Sequence, residues 1–221
     1  MNTNLTEMIF ILDRSGSMSG LESDTIGGYN GLLQKQKKEP GEAVVTTVLF
    51  DTEFSVIHDR VNIKDVQLLT DMDYRPGGCT ALMDAVGDTV EKIFHLQRHL
   101  REEDKPGKTV VCIITDGLEN SSVRYSKKDI KKLISTATEK DKWEFIFLGA
   151  NIDAAEEVES YGIRRNRAVE YCSDSEGTKE NYLMMSDLLC CVRDSSNGYD
   201  EKKLDRVLEG LRAKNKRRKN R

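Results

Sequence analysis

Short apolar runs alternate with longer amphipathic stretches along this chain, and clusters of polar residues separate the two. The runs at 8–12 and 110–114 are apolar at every position, which is typical of parallel strands that are covered on both faces. The stretches between the runs have the length and spacing of helices, so the elements alternate as in βα units. The pattern therefore predicts a doubly wound, mostly parallel α/β sheet with helices on both faces.

One short turn interrupts the parallel pattern. Residues 51–53 join the runs 43–50 and 54–59, and three residues are too few for a parallel crossover. These two runs are therefore predicted to form an antiparallel hairpin. The other predicted strands cover residues 7–13, 110–114, 143–148 and 168–172.

Helices are predicted between the strands. Ser126 with Asp129, and Ser173 with Glu176, resemble capping boxes that start two of them. Gly28 and its neighbour Gly27 lower the helix propensity of the first helix and predict close backbone packing there. The predicted spans are 21–38, 80–99, 126–140, a short helix that Asp153 caps, and a helix from 173 to about 191, with a break at 104–107.

The strand runs also predict the core. We expect one set of side chains to be buried in the central strands: Met8, Phe10, Leu12, Val111, Ile113, Phe145 and Phe147. We expect their alternates to be buried on the other face of the sheet, under helices: Ile9, Ile11, Cys112, Ile114 and Ile146.

The chain changes character near its end. Residues 195–198 are linker-like, and the run 212–221 is basic with no apolar residue after Ala213. Such runs are typically solvated and disordered. We therefore place a globular domain at residues 1–193, and a linker, a short helix and a basic tail at 194–221. The apolar positions of the short helix are Leu204, Val207, Leu208 and Leu211.

Bulk composition narrows the functional class. The 221 residues suffice for one α/β domain, and the formal net charge of −4 argues against a body that binds nucleic acid. No apolar segment approaches the roughly 20 residues that span a bilayer. The first seven residues lack the basic start and apolar stretch of a signal peptide, so we expect a cytoplasmic protein. The five cysteines form no CxxC pair and are interpreted as reduced thiols.

Oxygen-bearing side chains follow the predicted strands at three places. Asp13, Ser15 and Ser17 come directly after the first apolar run, Thr80 follows Gly-Gly-Cys, and Asp116 ends the run at 110–114. Carboxyl ends of parallel strands meet at one edge of a sheet, where ligands bind. Two carboxylates and three hydroxyls suit a hard cation such as Mg²⁺ or Mn²⁺. These five residues therefore predict a metal site.

Each segment also has an ordinary structural explanation. Asp13 and Ser15 could cap a helix, and Asp116 with Gly117 could form a turn. Together, however, those explanations need three oxygen-rich loops at strand ends by coincidence, which favours the metal site.

His95 and His99 have the i, i+4 spacing of a zinc pair but lack a third ligand, so a solvated helix face is favoured. Six further polar residues near the predicted loops are either rim or supporting positions or simply solvent-exposed residues: Glu22, Asp24, Glu119, Asn120, Asn151 and Asp153.

The segments Asp-Arg-Ser-Gly-Ser, Gly-Gly-Cys-Thr and Thr-Asp-Gly resemble the metal ion-dependent adhesion site (MIDAS) of von Willebrand factor type A (VWA) domains, over about residues 7–191. All five metal-contacting positions of the family pattern are occupied. The resemblance implies a six-stranded sheet and a partner protein whose exposed Asp or Glu completes the coordination of the metal. The intracellular bacterial and phage-type members are the most similar.

Two functional classes follow. The first is a metal-dependent protein-binding module with no catalytic residue, and the alternative is a metal-dependent hydrolase or phosphotransferase that uses the same site. Metal-assisted catalysis usually needs a base or acid beside the metal, and no histidine lies in the three loops. This favours binding over catalysis. The basic tail offers acidic surfaces or nucleic acid a contact, but without aromatic residues it is not expected to recognise bases.

Overall fold

The apolar runs form six strands in a computed structural model that describes residues 1–150, 154–194 and 201–219. In chain order these strands are β1 (Asn2–Asp13), β2 (Glu42–Phe50), β3 (Phe54–Asn62), β4 (Pro106–Thr115), β5 (Glu144–Ala150) and β6 (Ala168–Tyr171). They form one sheet in the order β3-β2-β1-β4-β5-β6. β1 and β4 therefore lie side by side at the centre, with the hairpin at one edge and β6 at the other.

The pairing of the strands confirms the predicted fold class. Within this sheet the neighbouring strands are parallel, except that β2 and β3 are antiparallel. The link at 51–53 is too short for a crossover and turns the chain directly back, as its length predicts. The molecule is a mostly parallel α/β sheet with one antiparallel edge pair.

Six helices of the described residues surround this sheet: α1 (Glu22–Gln36), α2 (Leu82–His99), α3 (Lys127–Asp141), α4 (Ala154–Ser160), α5 (Ser175–Asp194) and α6 (Glu201–Lys219). α1, α5 and α6 contribute to the core on one face, and α2, α3 and α4 contribute to the core on the other.

None of the helices in the described ranges is long and apolar enough to cross a bilayer.

The central strands are buried as predicted, but the division between the two faces was partly wrong. Parallel neighbours in register point to the same face, and Phe10 pairs with Cys112. Met8, Phe10 and Leu12 therefore share a core with Cys112, Ile114 and Ile146. The opposite core contains Ile9, Ile11, Val111, Ile113, Phe145 and Phe147. A run that is apolar at every position does not show which of its residues face which side of the sheet. The sequence therefore did not determine which side chains of neighbouring strands share a face.

Two predicted helix starts have different outcomes. The capping box of Ser126 and Asp129 is present at the start of α3. At α5, however, Gly177 N donates to Asp174 Oδ1 at 2.7 Å, so Asp174 rather than Ser173 satisfies the first turn. The predicted cap Asp153 lies outside the described residues. The break predicted at 104–107 is shorter than expected, since β4 already begins at Pro106.

The end of the chain is more ordered than its composition predicts. α6 extends through the basic run to Lys219, and Leu204 and Leu208 join the core. Arg212 Nε donates to Ala168 O at 3.1 Å, and Asn215 Nδ2 donates to Glu170 O at 2.8 Å. These carbonyls belong to the edge strand β6. Polar side chains of the basic run therefore donate hydrogen bonds to carbonyl groups at the outer edge of the sheet. The linker-like residues 195–198 lie outside the described ranges.

Close packing at Gly28 is confirmed. A β-carbon on Gly28 would lie 2.5 Å from Cδ2 of Tyr182, whereas one on Gly27 would meet nothing within 4 Å. Tyr182 projects from α5 and is buried against α1. The absence of a side chain at Gly28 therefore sets how closely α1 and α5 approach.

We expect Gly28→Ala to lower the free energy of unfolding by about 1–3 kcal/mol, because the new methyl group displaces the Tyr182 ring from a packed interface. Urea denaturation followed by circular dichroism measures this. Gly27→Ala is the matched control, and its better helix propensity should leave stability equal or higher by up to about 1 kcal/mol. Equal stability losses in the two variants would contradict the packing explanation.

Candidate metal centre

Three loops meet at the carboxyl edge of the central strands. Asp13 ends β1, and Asp116 directly follows β4, the strand that pairs with β1. The loop that precedes α2 joins the loop after β1 through two backbone hydrogen bonds: Gly16 N donates to Gly78 O at 3.2 Å, and Gly77 N donates to Arg14 O at 2.9 Å. It joins the loop after β4 through Thr80 O, which accepts from Asn120 N. Sheet register and these loop contacts together bring all three predicted segments to one place.

Four of the five predicted residues are linked by hydrogen bonds. Ser15 Oγ and Ser17 Oγ are 3.1 Å apart, and Ser17 Oγ donates to Asp116 Oδ1 at 2.5 Å. Asp13 Oδ1 accepts from Ser15 N at 2.7 Å, which orients the carboxylate towards the same loop. Asp13, Ser15, Ser17 and Asp116 therefore form one continuous polar cluster.

Thr80 borders this cluster through Gly117. A β-carbon on Gly117 would lie 3.3 Å from Thr80 Oγ1 and 3.5 Å from Ser17 Oγ. The space that this glycine leaves open is thus bounded by the hydroxyls of two different loops. Asn120 holds Thr80 in place on both sides: Thr80 N donates to Asn120 Oδ1 at 2.9 Å, and Asn120 N donates to Thr80 O at 3.1 Å.

The two carboxylates are buried, and neither has a cationic partner among the residues that the structure describes. Asp13 is 1% exposed and Asp116 is 5% exposed, and no ion pair within the described ranges involves either one. Burial raises the pKa of Asp13, the nearby Asp116 raises it further, and hydrogen bonds from Thr115 and Ser15 oppose the rise. Two buried carboxylates side by side create a strongly negative site, which a divalent cation would neutralise.

The donor set fits a hard cation. Asp13, Ser15, Ser17, Thr80 and Asp116 supply carboxylate and hydroxyl oxygens, the ligands that Mg²⁺ and Mn²⁺ prefer. Within the described ranges, no group of three or more His, Cys, Asp and Glu side chains is placed to hold a metal. The pair His95 and His99 is exposed, as predicted for a solvated helix face.

Three residues support the carboxylates in a role that was not predicted from the sequence. Thr115 Oγ1 donates to Asp13 Oδ2 at 2.5 Å, and Tyr74 Oη donates to the Asp13 carbonyl at 2.5 Å. Ser173, just after β6, donates to Asp116 Oδ2 at 3.3 Å. Thr115 and Ser173 adjoin strand ends, which is a weak signal, whereas nothing local marks Tyr74.

The predicted rim residues differ in role. Asn120 supports Thr80, but Glu119 accepts from Met83 N at 2.8 Å and from Ser122 N at 2.7 Å, so it shapes the loop before α3. Asp24 pairs with Lys179 at 3.0 Å. Glu22 accepts from Gly20 N at 2.8 Å. Asn151 and Asp153 lie outside the described residues.

Comparison with known proteins supports the fold. No protein-family model matches the sequence, and no curated protein does. Among solved structures, proximal thread matrix protein 1 from the mussel byssus aligns with a TM-score of 0.59 at 16% identity, over 84% of this chain and 48% of that one. The chain thus spans about half the length of that protein.

Two further structures give the same result. The manganese-loaded TRAP protein of Plasmodium vivax aligns with a TM-score of 0.52 at 16% identity, over 83% of this chain and 75% of that one. A von Willebrand factor type A structure from Catenulispora acidiphila aligns with a TM-score of 0.54 at 15% identity, over 84% and 42%. At these identities the likeness shows the fold alone, so the chain has a VWA-like α/β fold. The MIDAS assignment and the intracellular bacterial or phage type stay predictions.

We expect Asp13→Asn to stabilise the metal-free protein at neutral pH, because it removes a buried charge beside Asp116. The amide retains the contacts: its oxygen accepts from Ser15 N, and its NH₂ donates to the Thr115 hydroxyl, which also bonds to Gly117 O at 3.0 Å. Since the folded pKa of Asp13 is raised, the ionised carboxylate costs stability above that pKa. The cost disappears as pH falls towards the ordinary value near 4.

Urea denaturation in chelator at several pH values measures the difference between wild type and variant. The advantage of Asp13→Asn should be largest near neutral pH and should close at acidic pH, whereas the exposed control Asp71→Asn should show no such trend. A variant that is less stable than wild type at every pH would refute the argument from buried charge.

Proposed function

We propose that this chain is a metal-dependent protein-binding module. Mg²⁺ or Mn²⁺, held by Asp13, Ser15, Ser17, Thr80 and Asp116, accepts an Asp or Glu carboxylate from a partner protein. The observation that carries this proposal is the cluster of two buried carboxylates, with no ion-pair partner among the described residues, that are linked to hydroxyls of the same edge of the sheet. That cluster lies at the edge of the sheet where α/β proteins bind ligands.

The carboxylates and the hydroxyls of the cluster contribute to metal binding in different ways. The carboxylates supply negative charge, and the neutral hydroxyls complete an oxygen-rich pocket without adding further charge. A bound divalent cation would offer a coordination position to the partner, for which an anionic oxygen competes better with water than a neutral one does. A partner carboxylate is therefore anchored by a charge-assisted contact inside a larger protein interface.

The fold agrees with this proposal. VWA-like structures align over more than four-fifths of this chain, and the aligned TRAP structure is a manganese-loaded one. A divalent cation on this fold is thus supported by a similar structure as well as by the donor set. A cytoplasmic location, which the sequence led us to expect, is proposed with it.

The side chains of the site favour binding over catalysis. Asp13 and Asp116 are engaged with hydroxyl groups, and the three histidines lie elsewhere: His58 on β3, and His95 and His99 near the end of α2. His58 Nδ1 hydrogen-bonds to Thr47 Oγ1 at 2.9 Å inside the fold. A metal-dependent hydrolase needs a positioned acid or base, and none of these histidines is placed to act as one.

We expect Ser17→Ala to weaken Mn²⁺ binding by about tenfold or more, the scale on which metal sites respond to lost ligands or their supports. The loss of the free-ion signal in electron paramagnetic resonance measures binding. Ser19→Ala is the matched control, because Ser19 is also exposed and lies two residues away in the same loop. Equal Mn²⁺ affinity in both variants would remove Ser17 from the site.

We expect a protein partner to be captured from the native cell with Mg²⁺ present and released by chelator. Ser17→Ala and Thr80→Ala should lose this partner, and Ser19→Ala should retain it. The purified protein should show no phosphatase, nucleotidase or protease turnover with Mg²⁺ or Mn²⁺. Steady metal-dependent hydrolysis that disappears in Asp116→Ala would establish the enzymatic alternative instead.

A further inference from the structure

α6 runs alongside β6 in the same direction. Near the start of the helix, Arg164 Nη1 donates to Glu201 Oε1 at 3.1 Å. Fourteen residues further along the helix, Asn215 Nδ2 donates to Glu170 O at 2.8 Å. Arg164 lies before β6, and within the strand the contacts advance in the same order, from Arg212 with Ala168 to Asn215 with Glu170. α6 therefore points towards the carboxyl edge of the sheet.

This is the edge that carries the candidate metal centre. Tyr171 ends β6 there, and Ser173, two residues later, reaches Asp116 Oδ2 at 3.3 Å. Asn215 already lies beside Glu170, one residue before the end of the strand. Residues 216–219 carry the helix about 6 Å further, at about 1.5 Å per residue. We call these four residues the basic end of α6.

The net charge of residues 212–221 is positive, whereas that of the rest of the chain is negative. Seven of the ten residues 212–221 are Lys or Arg and none is Asp or Glu, which leaves −11 on the rest of a chain whose net charge is −4. Lys216 is exposed, and Lys214 is partly neutralised by Glu180 at 2.7 Å. The helix thus carries Lys216, and the basic stretch of sequence that follows it, towards the edge where a partner carboxylate would bind the metal.

We propose that the metal centre and the basic end of α6 form one binding surface for an acidic protein segment. One carboxylate of the segment binds the metal, and further Asp or Glu residues face the basic end. This inference rests on the proposed function, because the metal supplies the anchoring contact. It adds the class of partner: a stretch with several acidic residues rather than a single exposed one.

The distance between the metal centre and the basic end of α6 suits a short peptide segment. Only β5 lies between β4, which leads to Asp116, and β6, so these strands are about 10 Å apart. With α6 packed beyond β6, a span of about 20 Å is covered by roughly six extended residues. A single acidic stretch of that length can therefore reach both parts.

The surroundings favour an acidic protein over nucleic acid. Residues 212–221 contain no aromatic side chain on which bases could stack. The charge of −11 elsewhere on the chain disfavours a long polyphosphate that follows the surface, whereas a short acidic segment needs only this edge. A metal centre with an open position beside the basic end adds a specific site for a carboxylate.

The test compares two fluorescent peptides of equal length, one rich in Asp and one with a single Asp, and a single-stranded oligonucleotide. The variant combines Lys216→Gln, Arg217→Gln, Arg218→Gln and Lys219→Gln, since glutamine preserves helix propensity while removing charge. The matched control carries four Lys→Gln substitutions in and just after α3, outside this edge strand and helix: Lys131, Lys132, Lys140 and Lys142. Circular dichroism verifies that both are folded.

With Mg²⁺ and low salt, the variant should bind the Asp-rich peptide about tenfold more weakly than wild type, and the control should bind it equally well. The difference should shrink towards none as salt approaches about 0.5 M, because exposed charges are then screened. Binding of the single-Asp peptide should be the same in all three proteins. Chelator should weaken the binding of both peptides.

Each contrary result has a distinct meaning. If the variant binds the Asp-rich peptide as tightly as wild type at low salt, the inference is wrong, while metal-dependent binding would leave the proposed function intact. If binding depends on the basic end but neither on Mg²⁺ nor on Ser17, the proposed function fails and the surface is not a joint one. If the oligonucleotide binds more tightly than the Asp-rich peptide, the surface is one for polyphosphate, and the inference is overturned.

Discussion

The structure depends on one electrostatic constraint, the burial of two carboxylates side by side at the ends of neighbouring strands. Asp13 and Asp116 lie almost fully inside the protein, and no cationic side chain of the described residues forms an ion pair with either one. Burying unpaired charges costs several kcal/mol per ion unless they are compensated. The surrounding groups provide partial compensation: Ser15 N, the Thr115 hydroxyl and the Ser17 hydroxyl all donate to them. A divalent cation would supply the rest.

The sheet maintains this arrangement because its central strands have little freedom to shift. β1 and β4 are covered on both faces, and a slip of one residue would exchange every side chain between the two cores. The loops are fixed in turn. Gly78 adopts φ +69°, and a β-carbon there would lie 2.6 Å from Thr52 Oγ1, so the loop before α2 approaches the hairpin turn as only glycine allows. The oxygen cluster is thus held by packing, before any ligand binds.

The features that could be predicted from the sequence are those that depend on residues close together in the chain. Strands that are apolar throughout, the short link at 51–53 and oxygen-bearing residues at strand ends are local signals, and they gave the sheet, the hairpin and the clustered residues. The division of side chains between faces depends on register across strands, which continuous apolar runs leave open. The role of Tyr74 and the order of α6 depend on partners far along the chain, Asp13 and β6, and no local pattern shows them.

α6 has two physical roles that arise from the same packing. β6 is a short edge strand, and Arg212 and Asn215 bond to its outward carbonyls, which protects the edge from pairing with another chain. Those same bonds fix the direction of the helix, which points towards the edge of the sheet that carries the candidate metal centre. Removing α6 would expose the strand edge and delete the charge together. Charge-neutralising substitutions beyond Asn215 leave the edge bonds in place, and they therefore separate the electrostatic role from the structural one.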